Sequence, residues 1–541
     1  MRFRLFAALA ALTLTTGFAS AQPKDAGPTV EVRLRSVNDL VDKFEYVAGL
    51  AGKDDAVKQV RELIKVLSAD GKGIEGIDPK QPIGAYVTLA KDVENSPIVV
   101  MIPIADKDQF INALKARLDV DAKKADDGTY AVPLQLPQGA KFDLRVRFAN
   151  GYLYASPKAQ DLDVKALITP KVFFAQDDGA VASLKVHIDR IPADLKTFVM
   201  GQLELGINTE RKKNADTESA AEKRFKNLVF DALLAGFKGL TDDGKELSVK
   251  LFADAKTDEI SAEVALTAKS GSATAKNFAA LGSKTSVPAG IVASANPVAR
   301  ANVKITITDG MKKEYAAAID DLLADVLKKA PADQEQLVKQ LIDAVGPTLK
   351  AGELDIAASL TGPNAKGHYG VMAAFTVAEG KKIEQLVKDV SVFAGGAADF
   401  TFDSAKVGDF NLHKIDVKQN SDALEKLFGT SIVWLAVSDK CIAISIEADG
   451  ATIKKALAAK AIKVSVASFD VSVAKLIPMM QPDLKPDELK ALLKDAFGEG
   501  SPAGKDTIGV SVEGGDKLSI KFKVKGKALR AFAGLDLLKG K

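Results

Sequence analysis

The feature that most constrains the fold of this chain is a pattern of elements that occurs four times. Each occurrence predicts a strand, two amphipathic helices, a hairpin of two strands joined by a Gly-, Asn- or Asp-containing turn, and a third helix. The four stretches begin near residues 29, 182, 301 and 461. Such units bury their apolar faces as antiparallel β-sheets with amphipathic helices packed on them, so the pattern predicts the α+β class.

The four units are interpreted as two duplicated halves. The units at about 28–165 and 300–457 carry further strand-like segments after their hairpins, and the units at about 180–285 and 461–541 lack them. The predicted halves are therefore 22–290 and 291–541, with a Pro- and Gly-containing junction near 286–299. A length of 541 residues agrees with more than one core, because single cores rarely grow beyond about 300 residues.

Residues 1–21 predict a cleavable export signal. Arg2 and Arg4 form a positive segment, an apolar run follows at 5–18, and Ala19-Ser20-Ala21 has the small-x-small pattern of a signal peptidase site. We expect cleavage after Ala21 and a periplasmic or extracellular mature chain without a transmembrane segment, which N-terminal sequencing of exported protein checks. The alternative is an uncut N-terminal anchor, although the run is shorter than the roughly 20 apolar residues of a membrane-spanning helix.

Composition argues against a nucleic-acid partner and against an intramolecular disulfide bond. The 74 Lys and Arg nearly balance the 71 Asp and Glu, and aromatic residues make up only 6% of the chain, so no nucleic-acid partner is expected. The single cysteine, Cys441, excludes an intramolecular disulfide. It lies in the strand-like run CIAISI, where a buried structural role is expected.

No motif predicts a catalytic residue, a cofactor or a metal ion. GKGIEG at 71–76 has the letters of a dinucleotide-binding loop, but a helical pattern precedes it and Pro79 follows, which is the wrong order of elements. His187, His368 and His413 lack the spacing of paired zinc ligands. Around His413 the apolar residues change from even positions, Phe410 and Leu412, to odd positions, Ile415 and Val417. This shift predicts a β-bulge with the imidazole facing solvent.

Charged clusters at element boundaries are interpreted as helix caps. In VVMIPIADKDQFINAL at 99–114, Asp106 and Gln109 have the spacing of a capping box, and Ser36 and Asp333 head the same pattern elsewhere. These side chains are therefore predicted to start helices rather than to perform chemistry.

Two predicted strands, 98–104 and 371–377, have apolar or small residues on both faces. In the corresponding strand at 518–524 apolar and polar residues alternate, which predicts that one face of that strand contacts solvent. A strand buried on both faces needs a covering layer, and a gap in that layer would form an apolar cavity. The candidate lining residues for an apolar ligand are Val99, Met101, Met372 and Phe375.

Four segments carry a resemblance to known proteins: PIGAYVTL at 82–89, PIVVMIPIADKDQFINAL at 97–114, YAVPL at 130–134 and NGYLYAS at 150–156. In their order, the chain resembles large exported bacterial proteins of unknown function that are built from tandem helix-clad antiparallel sheet units. The resemblance implies export and an α+β fold, and it brings no catalytic residues.

Three functions remain open. Repeats without a reactive constellation favour a non-catalytic cell-envelope scaffold or interaction module, whose partner would be an envelope protein. The second is a carrier of lipid or another apolar ligand held between a curved sheet and its helices. An enzyme ranks third, since a site can assemble from residues far apart in sequence.

Overall fold

A computed structural model describes residues 27–51, 53–67, 75–135, 141–175, 179–213, 217–282, 284–294, 296–392, 395–481, 484–499 and 503–534. The predicted signal peptide and most of the GKGIEG segment lie outside these ranges. Within them the α+β class is confirmed, because helices are packed on antiparallel sheets. No helix in the described ranges is long and apolar enough to cross a membrane.

The described residues group into two compact units, each discontinuous in sequence. The first unit comprises the described parts of Met1–Val199, Gly244–Leu266 and Leu529–Lys541. The second comprises those of Met200–Asp243 and Thr267–Ala528.

The first unit is built on an antiparallel sheet. Its strands are β1 (Val30–Leu34), β2 (Ile83–Val87), β3 (Ile98–Pro103), β4 (Lys123–Lys124), β5 (Tyr130–Gln135), β6 (Lys141–Ala149), β7 (Tyr152–Ser156), β8 (Ala182–His187), β9 (Gly244–Asp254) and β10 (Glu259–Ala268). Their pairing gives the order β4-β5-β6-β7-β3-β2-β1-β8-β9-β10. The first strand of the unit therefore lies inside the sheet, with hairpins extending to both sides of it.

The second unit contains a sheet of the same strand order. Its strands are β11 (Lys284–Ser286), β12 (Ala299–Thr306), β13 (Glu353–Thr361), β14 (Gly370–Thr376), β15 (Ala398–Val407), β16 (Phe410–Val417), β17 (Ile432–Val437), β18 (Cys441–Ile446), β19 (Ile462–Val464), β20 (Ala467–Ser472), β21 (Thr507–Glu513) and β22 (Lys517–Lys525). The order is β15-β16-β17-β18-β14-β13-β12-β20-β21-β22, and β11 pairs separately with β19.

Helix pairs follow β1, β8, β12 and β20, and single helices follow β3, β10, β14 and β22. The helices are α1 (Val37–Leu50), α2 (Asp54–Leu67), α3 (Lys107–Leu118), α4 (Pro170–Phe173), α5 (Ala193–Lys212), α6 (Ala220–Asp243), α7 (Ala273–Ala280), α8 (Val287–Ile291), α9 (Asp309–Lys328), α10 (Glu335–Lys350), α11 (Gly380–Ser391), α12 (Ser421–Phe428), α13 (Ala451–Ala456), α14 (Val473–Met480), α15 (Pro486–Phe497) and α16 (Gly526–Gly534). In the second unit α9 packs against α6 and α10, and α10 packs against α11.

Two of the three predicted helix caps are confirmed. The Asp106 carboxylate accepts hydrogen bonds from the Asp108 and Gln109 N–H groups, both at 2.9 Å, and the Ser36 hydroxyl accepts one from the Asp39 N–H at 3.0 Å. The prediction for Asp333 is wrong, since α10 begins only at Glu335. A turn that starts at Pro331 already carries the backbone into helical geometry there.

Both faces of β3 are covered, as its composition predicted. Val99 and Met101 belong to an apolar cluster around Tyr154. Val100 and Ile102, on the opposite face, pack against a second cluster. The alternation of side chains along a strand therefore divides this apolar run between two cores.

Strand β14 is covered in the same way in the second unit. Met372 and Ala374 join a cluster that contains Trp434. Phe375 and Val377 face a different cluster on the other side of the sheet. Both β3 and β14 therefore lie between two apolar layers, with side chains packed on each face.

The prediction that only the polar face of β22, the strand at 518–524, contacts solvent is wrong. The apolar Ile520 and Phe522 are 37% and 49% exposed, whereas on the opposite face Ser519 is 2% exposed and Lys523 is exposed. Alternation decides which residues share a face, but the neighbouring layers decide which face is covered. The apolar face of this sheet is also open at Phe469, Leu354 and other positions, so the unit exposes more apolar surface than the sequence pattern indicated.

Cys441 begins β18 in the interior of the second unit and is 5% exposed. Burial, together with the negative charge of Asp355, raises the pKa of its thiol to about 12. The thiolate, which is the reactive species, is therefore disfavoured at neutral pH.

We predict that Cys441 in the folded protein resists a thiol-specific reagent at pH 7.5 and reacts promptly once the chain is unfolded in urea. The reaction rate, followed by absorbance or intact mass, measures this. Stoichiometric labelling of the native chain within minutes would show that β18 is accessible.

Candidate functional site

The four candidate lining residues do not meet at one site. Val99 and Met101 lie in the closed core of the first unit, packed with aromatic and leucine side chains. Phe375 faces helix α11 on the opposite side of the second unit's sheet from Met372. Of the four, Met372 is the one that lines the cavity described next.

The cavity next to Met372 has a volume of about 430 Å³. Its floor is a row of side chains in register across three strands, Ser359 on β13, Met372 on β14 and Ser445 on β18. The volume falls within the range of about 300–1,000 Å³ that holds small ligands in proteins. The remaining lining residues are Gly290, Ile291, Val292, Ala293, Ser294, Thr361, Gly370, Val371, Ile446, Glu447, Thr452, Lys455, Ala456 and Ala459.

One wall of the cavity is formed by α8 and the residues after it. Ser286 caps this helix by accepting a hydrogen bond from the Ala289 N–H at 3.0 Å. Gly290 then approaches the Lys460 backbone so closely that a Cβ would lie 2.2 Å from the Lys460 carbonyl oxygen. Only glycine permits this contact, which holds α8 against the segment that follows α13.

A second wall is α13, which is fixed at its N-terminus by Glu447 in the preceding turn. The Glu447 carboxylate accepts hydrogen bonds from the N–H groups of Thr452 and Ile453, both at 2.8 Å, and from the Ser445 hydroxyl at 3.0 Å. Its backbone carbonyl accepts the Trp434 indole N–H at 3.0 Å. The charge of Glu447 is therefore compensated by donors of the protein itself.

A second candidate is a polar cluster on β15, β16 and α11. Glu384, Asp403 and His413 each offer a ligand atom within 4.8 Å of the others. The prediction that His413 faces solvent is wrong, because the side chain is 1% exposed. The predicted irregularity lies on the partner strand, where residues 402–404 of β15 oppose His413 alone.

The chemistry of this cluster does not fit a metal ion. The Asp403 N–H donates to His413 Nδ1 at 3.0 Å, so in the neutral ring the proton sits on Nε2, which faces a Glu384 carboxylate oxygen at 3.3 Å. Coordination through Nε2 would require that proton to leave. The Lys388 ammonium already lies 2.9 Å from Glu384 and 3.1 Å from Asp403, in the place a cation would take. The cluster is a hydrogen-bonded charge network.

No protein-family model, curated protein or solved structure matches this chain. The site is therefore assigned from its own geometry. The sequence pattern identified Met372 through the apolar strand that carries it, but it did not assign α8 or α13 to the site. A signal for them was present in the small residues of VPAGIVAS at 287–294 and of ATIKKALAA at 451–459.

The His413 network predicts a pH dependence of stability. Burial lowers the pKa of His413 below its ordinary value of 6.5. The unfolded chain therefore binds a proton that the folded chain refuses, and the free energy of unfolding falls as the pH drops below about 6.5. Urea unfolding at pH 7.5, 6.5 and 5.5, followed by the fluorescence of the single tryptophan, Trp434, measures this.

In His413→Asn the side-chain oxygen can still accept the Asp403 N–H but cannot titrate, so this part of the pH dependence should disappear. His368→Asn, in the loop before β14, is the matched control and should keep the wild-type slope. Equal slopes in the wild type and His413→Asn would contradict the assignment.

Proposed function

We propose that this chain is an exported, non-catalytic binding protein whose second unit holds a small ligand with an apolar body in the cavity beside Met372. The observation that carries the proposal is the cavity itself, since a volume of about 430 Å³ suits a drug-sized or lipid-chain-sized guest. Export is supported by the signal-like sequence at 1–21. This part of the proposal does not depend on the cavity.

The lining supports an apolar guest because most of it is hydrocarbon. Met372, Ile291, Val292, Ile446 and the alanines of α13 and its flank offer contact surface but no reactive group. Where polar side chains occur, the Thr361 hydroxyl donates to the Gly370 carbonyl, and Glu447 accepts its own set of donors. Among the described lining residues no histidine accompanies a serine, and the carboxylate that the Ser445 hydroxyl contacts, Glu447, already accepts two backbone N–H groups, which supports a non-catalytic role.

A scaffold or interaction role in the cell envelope is a second candidate. It is supported by the open apolar face of the second unit's sheet, with Ile305, Leu354, Ile356 and Phe469 each about two-fifths exposed. The shared strand order of the two units supports the proposal that the halves arose by duplication, which is how many non-catalytic modular proteins are built.

Filling the cavity tests the binding proposal. Ala459 lines the cavity and is exposed, so Ala459→Trp should occupy the space without disturbing the core. We expect Nile red or a copurifying lipid to bind at least tenfold more weakly to this variant. Fluorescence titration and native mass spectrometry measure both quantities.

The matched control is Ala458→Trp, which adds the same side chain at the neighbouring exposed position outside the cavity lining. It should bind like the wild type. If the two variants bind equally well, the apolar guest does not occupy this cavity, and the open sheet face becomes the better candidate for interaction.

A further inference from the structure

We infer that the guest of this cavity carries a single anionic head group and that the Lys455 ammonium binds it at the rim. This inference rests on the proposed function and goes further by naming the chemical class, an anionic amphiphile. Carboxylate and phosphate monoesters share this chemistry, and the experiment below separates them.

Lys455 is the one lining residue with an uncompensated charge. It lies on the last turn of α13, is exposed, and makes no ion pair or hydrogen bond within the described residues. The other charged lining residue, Glu447, is held by donors from Thr452, Ile453 and Ser445. Lys455 is therefore the charged lining group that is left without a protein partner among the described residues, while the Glu447 carboxylate already has hydrogen-bond donors.

The neighbouring lysine is engaged elsewhere. The Lys454 ammonium lies 5.1 Å from the centre of the Trp434 ring, in cation–π contact. Helical geometry turns consecutive side chains about 100° apart, so Lys454 and Lys455 serve different faces of α13. This division leaves Lys455 as the ammonium that borders the cavity.

The floor adds a polar group deeper in the same cavity. Ser359 is 5% exposed, and its hydroxyl makes no hydrogen bond within the described residues. It can donate to an oxygen of the guest. A neutral hydrocarbon would gain nothing from Lys455 or from Ser359. A guest with an anionic head group can pair with Lys455, and its chain can still pack against Met372.

The test compares ten-carbon guests that differ only in the head group. Decanoate, decyl phosphate and decanol compete with Nile red for the full chain without residues 1–21, at low and at high salt. We expect the anions to bind about three- to tenfold more tightly than decanol at low salt, because a partly exposed ion pair contributes modestly. The preference should shrink at high salt because the pair is screened.

The variants assign the preference to one residue. Lys455→Gln should bind anion and alcohol equally, Lys455→Arg should keep the preference, and Lys463→Gln, an exposed lysine outside the lining, should behave like the wild type. The ratio of decanoate to decyl phosphate in the wild type shows which of the two anions the rim prefers.

Each failure has a separate meaning. If decanol binds the wild type as tightly as decanoate and decyl phosphate, the head-group inference is wrong while the cavity function stands. If the preference survives in Lys455→Gln, another group binds the anion and the assignment to Lys455 fails. If none of the three guests displaces Nile red, or Nile red itself does not bind, the proposed function fails together with this inference.

Discussion

Burial of both faces of β14 is the constraint on which the rest of the second unit depends. This strand pairs with β13 on one side and with β18 on the other. A slip by one residue would move Met372 and Ala374 into the layer of Phe375 and Val377, where the packing partners differ. The fixed register places Met372 between Ser359 and Ser445, and so determines the floor of the cavity.

The first unit shows what the same sheet position becomes when large side chains cover it. There Met101 occupies the central strand β3, and Phe173, Tyr86 and Tyr154 fill the space above it. Phe173 packs so closely that a Cβ on Gly84 would lie 2.5 Å from its ring. In the second unit the covering segments supply glycine, alanine and serine, and the space remains partly open. The difference between core and cavity is therefore one of side-chain volume on a shared strand plan.

Much of the fold could be predicted from the sequence, because helix and strand periods differ and the hairpin turns are marked by Gly, Asn and Asp. The two-sided burial of β3 and β14 followed from their unbroken apolar composition. The orientation of β22 did not, because the pattern of Ile520 and Phe522 is the same whichever face is covered. The inward position of His413 depends on three residues of the neighbouring strand β15 that oppose it. The order of apolar residues around His413 cannot reveal this pairing.

The central claim is that the cavity beside Met372, and not the open apolar sheet face, binds an amphiphilic guest. Crystals of the protein soaked with a bromine-labelled decanoate test it most directly, because the bromine gives an anomalous signal at its own position. The account predicts the principal bromine peak between Met372 and Ala456, with the carboxylate directed toward Lys455. A principal peak on the face of Phe469 and Leu354, or an empty cavity in a crystal that binds the label elsewhere, would contradict it.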